Sequence, residues 1–346
     1  MEGNLLISRK SSPVHSSVAL DQPRPQEIFD NMLEKKIDIC FIGGIIMDMT
    51  SYMDAFPKPG ETKVGHRFEA GYGGKAANQA ALAAKLGAKC AMVARVGDDA
   101  NGRSYIDHFR SLGINVNNIR TSDKSSTGAA NIWVDDSGMN CICVILGANL
   151  DMTKQDILDA EDTIAASAAV VIGLELDIDI AHFAIQIAGK HKVQCLLNAA
   201  PMPKDMHEDF FCIPDVFNVN ESEASIATGI AVTDAESAKL AARHLVEKKH
   251  CKTVIITLGE NGAVFGSNDG AQFVHVPTDP VKAVDTTGAG DAFCGALAFF
   301  WAKYPDLPVE TIVKKCCDVA TMSVLKPGTQ ASFPSREELP EGFIPA

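Results

Sequence analysis

The chain contains no Cys-x-x-Cys pair. Its ten cysteines are scattered, with Cys141/Cys143 and Cys316/Cys317 as the only close pairs. That spacing excludes the usual zinc and redox-dithiol frameworks. Cys40, Cys195 and Cys294 sit inside apolar runs and read as reduced core thiols, which implies a cytoplasmic setting, or a nuclear one. A block of Lys and Arg is also missing, and 44 acidic side chains outnumber 31 basic ones for a net charge of −13. This argues against nucleic acid as a partner, so any phosphate must be held locally. No run approaches the ~20 apolar residues of a membrane span, which argues against a membrane partner. There is no G-x-x-x-x-G-K-[ST] phosphate loop, and neither GYGGKA nor GAGDAF completes G-x-G-x-x-G. The first absence excludes a P-loop NTPase, and the second weakens any dehydrogenase reading.

No leader segment is expected in the opening residues. The only early apolar run, Leu5–Ile7, is too short for a signal peptide, and Glu2, Asp21, Glu27, Asp30 and Glu34 argue against a transit peptide. Residues 1–36 are expected to be a disordered extension ending in a short helix.

What is present is a large core-forming chain of 346 residues, 46% hydrophobic. Ile37–Ile46 reads as a buried parallel strand, with Asp48 near its C-terminal end, where open α/β sheets bind ligands. Glycines open a helix from about Lys75 to Leu86, Gly87 ends it, and Ala91–Val96 is the next strand. Residues 127–146 alternate around Asp136–Ser137–Gly138 like a hairpin. Together with part of 48–72 they are expected to form a small accessory sheet over the site. From Ala169 onward the chain alternates strand (169–174), helix (179–190), strand (193–198), strand (216–219), helix (221–227), helix (234–249) and strand (253–257). A hairpin around Asn268–Asp269–Gly270 and a last helix near 309–324 follow. Such alternation predicts a doubly wound, three-layer α/β fold with a mainly parallel sheet. No internal repeat is visible.

The stretch VDTTGAGDAFCG (284–295) concentrates the chemistry. Val281–Val284 reads as a short strand, and Phe293, Ala296, Leu297, Phe300 and Trp301 fall on one helical face. Gly288, Ala289 and Gly290 therefore sit at a helix N-terminus, whose free N–H groups can receive an anion. Asp291 has two readings, an N-cap for its own helix or a general base beside the anion hole. Phosphoryl transfer needs little more than such a base and such donors.

The pair GGKAANQAALAAKLGA (73–88) and VDTTGAGDAFCGALA (284–298) resembles the two signatures of the ribokinase-like, or pfkB, carbohydrate kinases. The resemblance continues through PGET (59–62), VGDDANG (96–102), STGAANIWVDDSGMN (126–140), GAN (147–149), NESEA (220–224), TLGENGA (257–263) and KPGTQASFP (326–334). It spans about residues 37–335 and implies an ATP-dependent kinase acting on the 5-hydroxyl of D-ribose. The implied domain runs over 37–340, with lid strands from about 48–72 and 127–146 and a homodimer formed through the lid.

By the same resemblance Asp291 is the base, and Asp48, Gly74, Asn78 and Glu175 hold the sugar. Lys75 lies in the same loop and counts with them, although taken alone it reads as a surface salt-bridge partner. Asn220, Thr257, Leu258, Gly259, Glu260, Asn261, Gly262, Gly290 and Cys317 are expected around ATP. Glu223 is expected to organise Mg²⁺ through water. A K⁺ ion is expected on Asp285, Thr287, Ser323, Lys326, Gly328 and Ser332. Taken alone, Asp48 and Asn78 read as cap or turn residues, and Glu223 as an exposed first-turn acid.

Four departures from the family pattern stand out. Ile46 replaces an Asn that touches the sugar, Ala76 replaces a Gly and is expected to tighten the sugar loop, Ala199 replaces a Pro, and Cys317 replaces an adenine-side Asn or His. These leave other sugar or nucleoside kinases of the fold open as alternatives, namely fructokinase, ketodeoxygluconokinase and adenosine kinase types. A non-catalytic sugar-binding protein is the alternative outside the enzymes.

Overall fold

The computed structural model describes residues 37–270 and 272–345, so the expectation for residues 1–36 lies outside the described residues. The chain opens with β1 (Ile37–Ile42), β2 (Ile46–Met53), β3 (Arg67–Gly73), α1 (Lys75–Lys85), β4 (Cys90–Gly97), α2 (Ala100–Ser111) and β5 (Asn115–Ser122). Then come β6 (Gly128–Asp135), β7 (Asn140–Ile145), α3 (Lys154–Asp159), α4 (Glu161–Ala165), β8 (Ser167–Gly173), α5 (Ile178–Lys190), β9 (Gln194–Asn198) and α6 (Asp209–Cys212). The last part holds β10 (Val216–Asn220), α7 (Glu221–Thr228), α8 (Ala235–Lys249), β11 (Thr253–Thr257), β12 (Ala263–Ser267), β13 (Val274–Val276), α9 (Ala289–Lys303) and α10 (Val309–Ser323).

Nine strands form one sheet in the order β13-β12-β11-β10-β9-β8-β1-β4-β5. From β11 to β5 every pairing is parallel, and only the β11–β12 and β12–β13 pairings are antiparallel, the latter around the hairpin expected at 268–270. The parallel strands are apolar on both faces because helices cover both, as IDICFI in β1 and SAAVVIG in β8 show. Strand order reverses beside β1, which has β8 on one side and β4 on the other. A crevice at the C-terminal ends of β1 and β8 follows from that topology.

The run expected as one strand, Ile37–Ile46, is broken after Ile42. Gly43 and Gly44 carry the chain out of the large sheet, and β2 begins a second sheet of order β3-β2-β6-β7. Asp48 is therefore a mid-strand residue of the smaller sheet rather than a turn residue beyond β1. Asn149 fixes this crossing: its Oδ1 accepts from the Ile45 N–H at 2.9 Å, and its Nδ2 donates to the Ile45 and Leu146 carbonyls at 2.9 and 2.7 Å.

Val281–Val284, expected as a strand, is irregular. Val281 and Val284 are exposed, so the alternation there has no apolar face to bury. Helix α2, strand β5 and helices α3 and α4 had no expectation; β5, NVNNIRTS, is too polar to show a strand pattern.

Helices α1 and α9 lie unusually close. A Cβ on Gly295 of α9 would come within 2.8 Å of the Gln79 carbonyl and 3.0 Å of Leu82 Cβ, so only glycine allows this approach. Asp291 lies one turn before Gly295 on the same face of α9. Close packing of two helix backbones thus brings Asn78 and Gln79 to Asp291.

Candidate active site

Asp291 is not the cap of its helix. The N-cap position is Gly288, in the left-handed region at φ 79°, and Asp291 is the third helical residue. Its carboxylate accepts instead from α1: Asn78 Nδ2 donates to Oδ2 at 2.8 Å, and Gln79 Nε2 donates to Oδ1 at 3.3 Å. Asn78 is likewise no cap but a buried residue inside α1.

The donors expected at the start of α9 are partly available. The Ala289 N–H already bonds the Thr286 carbonyl at 3.2 Å. Among the described residues no acceptor faces the N–H groups of Gly288, Gly290 and Asp291. A Cβ on Gly290 would meet nothing within 4 Å, so open space lies beside that backbone. Free N–H groups, helix dipole and open space are what a transferring phosphoryl group requires.

Asp48, Gly74, Lys75 and Glu175 converge on the same crevice. Glu175, just past β8, accepts from the Lys75 N–H through Oε2 at 2.6 Å. It fits only because Gly44 has no side chain, since a Cβ there would be 2.8 Å from Glu175 Cβ. Burial pushes the Glu175 carboxyl up to about 7. Burial, with the Asp291 charge adding, raises Asp48 to about 6. Asp291 itself is raised by burial, opposed by the Lys75 charge and by Asn78 and Gln79.

Lys75 is half-buried, and the Asp291 charge raises its pKa, with Glu175 and Glu223 helping. It is not the surface salt-bridge partner of the bland reading. It is the cation shared by a cluster of carboxylates.

Ile46 lies two residues before Asp48 on one face of β2, and register places Ala130 and Val144 in one row with Asp48. Ile46 and Ala130 are buried, yet neither belongs to the continuous hydrophobic core. They face the crevice instead. Ala130, Val144 and Gln79 were not anticipated. Ala76, by contrast, points away from the crevice: its Cβ faces Gly43 and Gly173, so it fills a gap between α1 and the sheet rather than tightening the loop.

A cavity of about 310 Å³ opens on the other side of Gly290. Six of the residues expected around a nucleotide, Thr257, Gly259, Glu260, Gly262, Gly290 and Cys317, line it. Asn220, Leu258 and Asn261 do not line it. Leu258 is buried in the core, and Asn220 caps α7. Thr278, Pro280, Val281 and Thr321 are also in the wall, so the irregular 277–288 segment helps shape this cavity. The Cys317 thiol is pushed up to about 12 by burial and is neutral there.

Glu223 is no exposed acid either. It forms a capping box with Asn220, accepting from the Asn220 N–H through Oε2 at 2.9 Å, and burial raises its pKa. One carboxylate oxygen is thus structural and the other remains for a hydrated cation.

Asp285 ties the loop before α9 to the loop after α10. Its Oδ1 accepts from the Thr287 N–H and its Oδ2 from the Gly328 N–H, both at 2.9 Å. Burial alone would raise its pKa, but these two donors hold it below the ordinary range. Ser323 and Ser332 are buried in the same junction and bond locally, to the Ala320 and Thr329 carbonyls. Lys326 turns outward to Glu338. The oxygen-rich junction of Asp285, Thr287, Ser323, Gly328 and Ser332 suits an alkali cation. Lys326 fits it only through its carbonyl.

Residues 36–336 match the pfkB family carbohydrate kinase pattern. The chain belongs to this family. It is 40% identical to the ribokinase of Mus musculus over 307 residues, covering 89% of this chain and 95% of that one. It is 39% identical to a deoxyribokinase of Salmonella typhi over 305 residues, covering 88% and 98%. Among solved structures it resembles Arabidopsis thaliana ribokinase complexed with ribose and ATP, with a TM-score of 0.79, 25% identity and coverage of 87% and 96%. The Thermotoga maritima ribokinase structure matches with a TM-score of 0.77, 31% identity and coverage of 87% and 97%. The family resemblance and the α/β kinase fold expected from the motifs are thus both found.

Proposed function

We propose that this kinase transfers the γ-phosphoryl group of ATP to the 5-hydroxyl of D-ribose, with Asp291 as general base. The observation that carries this reading is the placement of the buried Asp291 carboxylate next to unpartnered N–H groups of Gly288 and Gly290, between a polar crevice and a nucleotide-sized cavity. Asp291 takes the hydroxyl proton, the sugar oxygen bonds to the γ-phosphorus, and the bond from phosphorus to the β,γ-bridging oxygen breaks to leave ADP. Burial raises the carboxyl toward the working pH, which favours a base over a permanently ionised cap. The N–H groups stabilise the charge on the transferring oxygens.

Asp48, Asn78 and Glu175 supply fixed acceptors and donors to several ring hydroxyls, and Lys75 offsets their charge. Mg²⁺, held through water near Glu223, would neutralise nucleotide phosphate charge, and K⁺ in the Asp285 junction would support the anion hole electrostatically. The small sheet acts as a lid that excludes water. Phe68, Trp133, Ile142, Val144 and Ile145 are exposed on it, which supports a homodimer formed through this sheet.

A second reading concerns the sugar. Ile46 puts an apolar wall where a hydroxyl partner would be expected, which favours 2-deoxyribose as an acceptor, in keeping with the similarity to a deoxyribokinase. A coupled ATP assay over ribose, 2-deoxyribose, fructose, a ketodeoxy sugar acid and adenosine tests both readings. Efficient turnover of only the last three overturns them.

A further inference from the structure

Gln330 lies in the loop after α10, and its side chain is buried. Its Nε2 donates to Asn78 Oδ1 and to the Tyr105 hydroxyl, each at 2.9 Å. Tyr105 donates its proton to the Gly73 carbonyl at 2.7 Å. His108 Nε2 lies 2.8 Å from Gln330 Oε1, and His108 stacks on Tyr72 of the small sheet with centroids 3.8 Å apart and planes at 1°. Lys85 Nζ donates to the Gln330 carbonyl at 2.6 Å, which pins the backbone.

These bonds run in only one direction. A carbonyl cannot donate, so the Tyr105 proton belongs to Gly73 and the Tyr105 oxygen must accept. Gln330 must therefore present its NH₂ group there, and its second proton falls to Asn78. Asn78 must then show Oδ1 to Gln330, so its NH₂ faces Asp291. Oδ2 of Asp291 thereby receives the short, oriented N–H bond from Asn78. Oδ1, held by the longer 3.3 Å contact from Gln79, is the oxygen freer to take a proton.

We propose that Gln330 is a positioning residue for catalysis: it dictates the orientation of the Asn78 amide and thereby commits one oxygen of Asp291 to holding and the other to proton transfer. This rests on the reading of Asp291 as the base. The charged groups around Asp291 are Lys75 and Glu175 at the crevice, Asp48 from β2, and Glu223 from α7, with the neutral Cys294 thiol on α9 itself. Gln330 adds no charge to this set. It acts through hydrogen-bond direction alone.

The test compares Gln330→Met, which keeps length but removes the donors, with Gln330→Glu, which replaces a two-proton donor by an acceptor. Loss of a buried hydrogen-bond partner should lower kcat about 10-fold in Gln330→Met, with KM for ATP within about twofold of wild type. Gln330→Glu should turn the Asn78 carbonyl toward Asp291, lower kcat about 100-fold and move the acid limb of the pH profile upward. Side-chain amide NMR of ¹⁵N-Asn-labelled protein, with Asn78 assigned by its loss in Asn78→Asp, should show the Asn78 signals displaced in Gln330→Glu. The proposal is overturned if both variants keep wild-type kcat. It is equally overturned if they lose activity alike with an unshifted pH profile and unmoved Asn78 signals. A wild-type protein that phosphorylates no sugar would overturn the kinase reading, while the NMR measurement would still decide whether Gln330 orients Asn78.

Discussion

A Cβ on Gly73 would stand 2.4 Å from Oδ1 of Asp48, which lies two residues beyond Ile46, the partner of Gly73 on the paired strand. The Asp48 carboxylate therefore occupies the space that any other residue at position 73 would fill. Gly73→Ala should push Asp48 off the sugar and raise the sugar KM roughly tenfold or more, as Asp48→Ala should, with little change in the KM for ATP. Steady-state kinetics in both substrates checks this. An unchanged sugar KM in both variants would remove Asp48 from the binding set.

Glu175 links the site to stability. Its carboxyl is raised from an ordinary 4.5 to about 7, so the folded protein holds a proton that the unfolded chain releases. The resulting stability is fully present below the ordinary value and is lost as pH rises through about 7. Asp48, raised to about 6, adds to the same window. Glu175→Gln should therefore raise Tm by a few degrees at about pH 8 and leave it unchanged near about pH 4, while weakening sugar binding. A Tm difference that grows toward acid pH would contradict the assignment.

Ile46 sets sugar preference. Ile46→Asn should lower KM for ribose and leave or raise that for 2-deoxyribose, because a new polar partner rewards only the sugar that carries the matching hydroxyl. The ratio of kcat/KM for the two sugars measures the effect. A ratio unmoved by the substitution would place Ile46 outside the sugar contacts.

Asp285 holds two loops through the Thr287 and Gly328 N–H groups. Asp285→Ala should let those loops part, lower kcat about tenfold and abolish the difference between K⁺ and Na⁺ buffers. Equal activity of the wild type in both salts, unaffected by the substitution, would show that no functional cation sits there.

The motifs around Gly74 and Gly288 were legible in the sequence because backbone geometry demands glycine at them, and the apolar strands because parallel sheets bury both faces. The meeting of Asn78 with Asp291 was not. It arises from the close approach of α1 and α9 at Gly295, and no local pattern reports an interhelical distance. The break after Ile42 was hidden for a related reason: Ile45 and Ile46 continue the apolar run of β1, and only the path of Gly43–Gly44 takes the chain into the other sheet. Gln330 carried no signal, since an isolated amide in a loop reads as surface. Its role lies in long-range partners at Asn78 and Tyr105.

The central claim is that Asp291 is the base, and Asp291→Asn tests it most directly. The substitution keeps size and removes basicity. Turnover with saturating sugar and ATP should fall by at least about 10²–10⁴, while both ligands still bind by calorimetry. Near-normal kcat in Asp291→Asn would contradict the account.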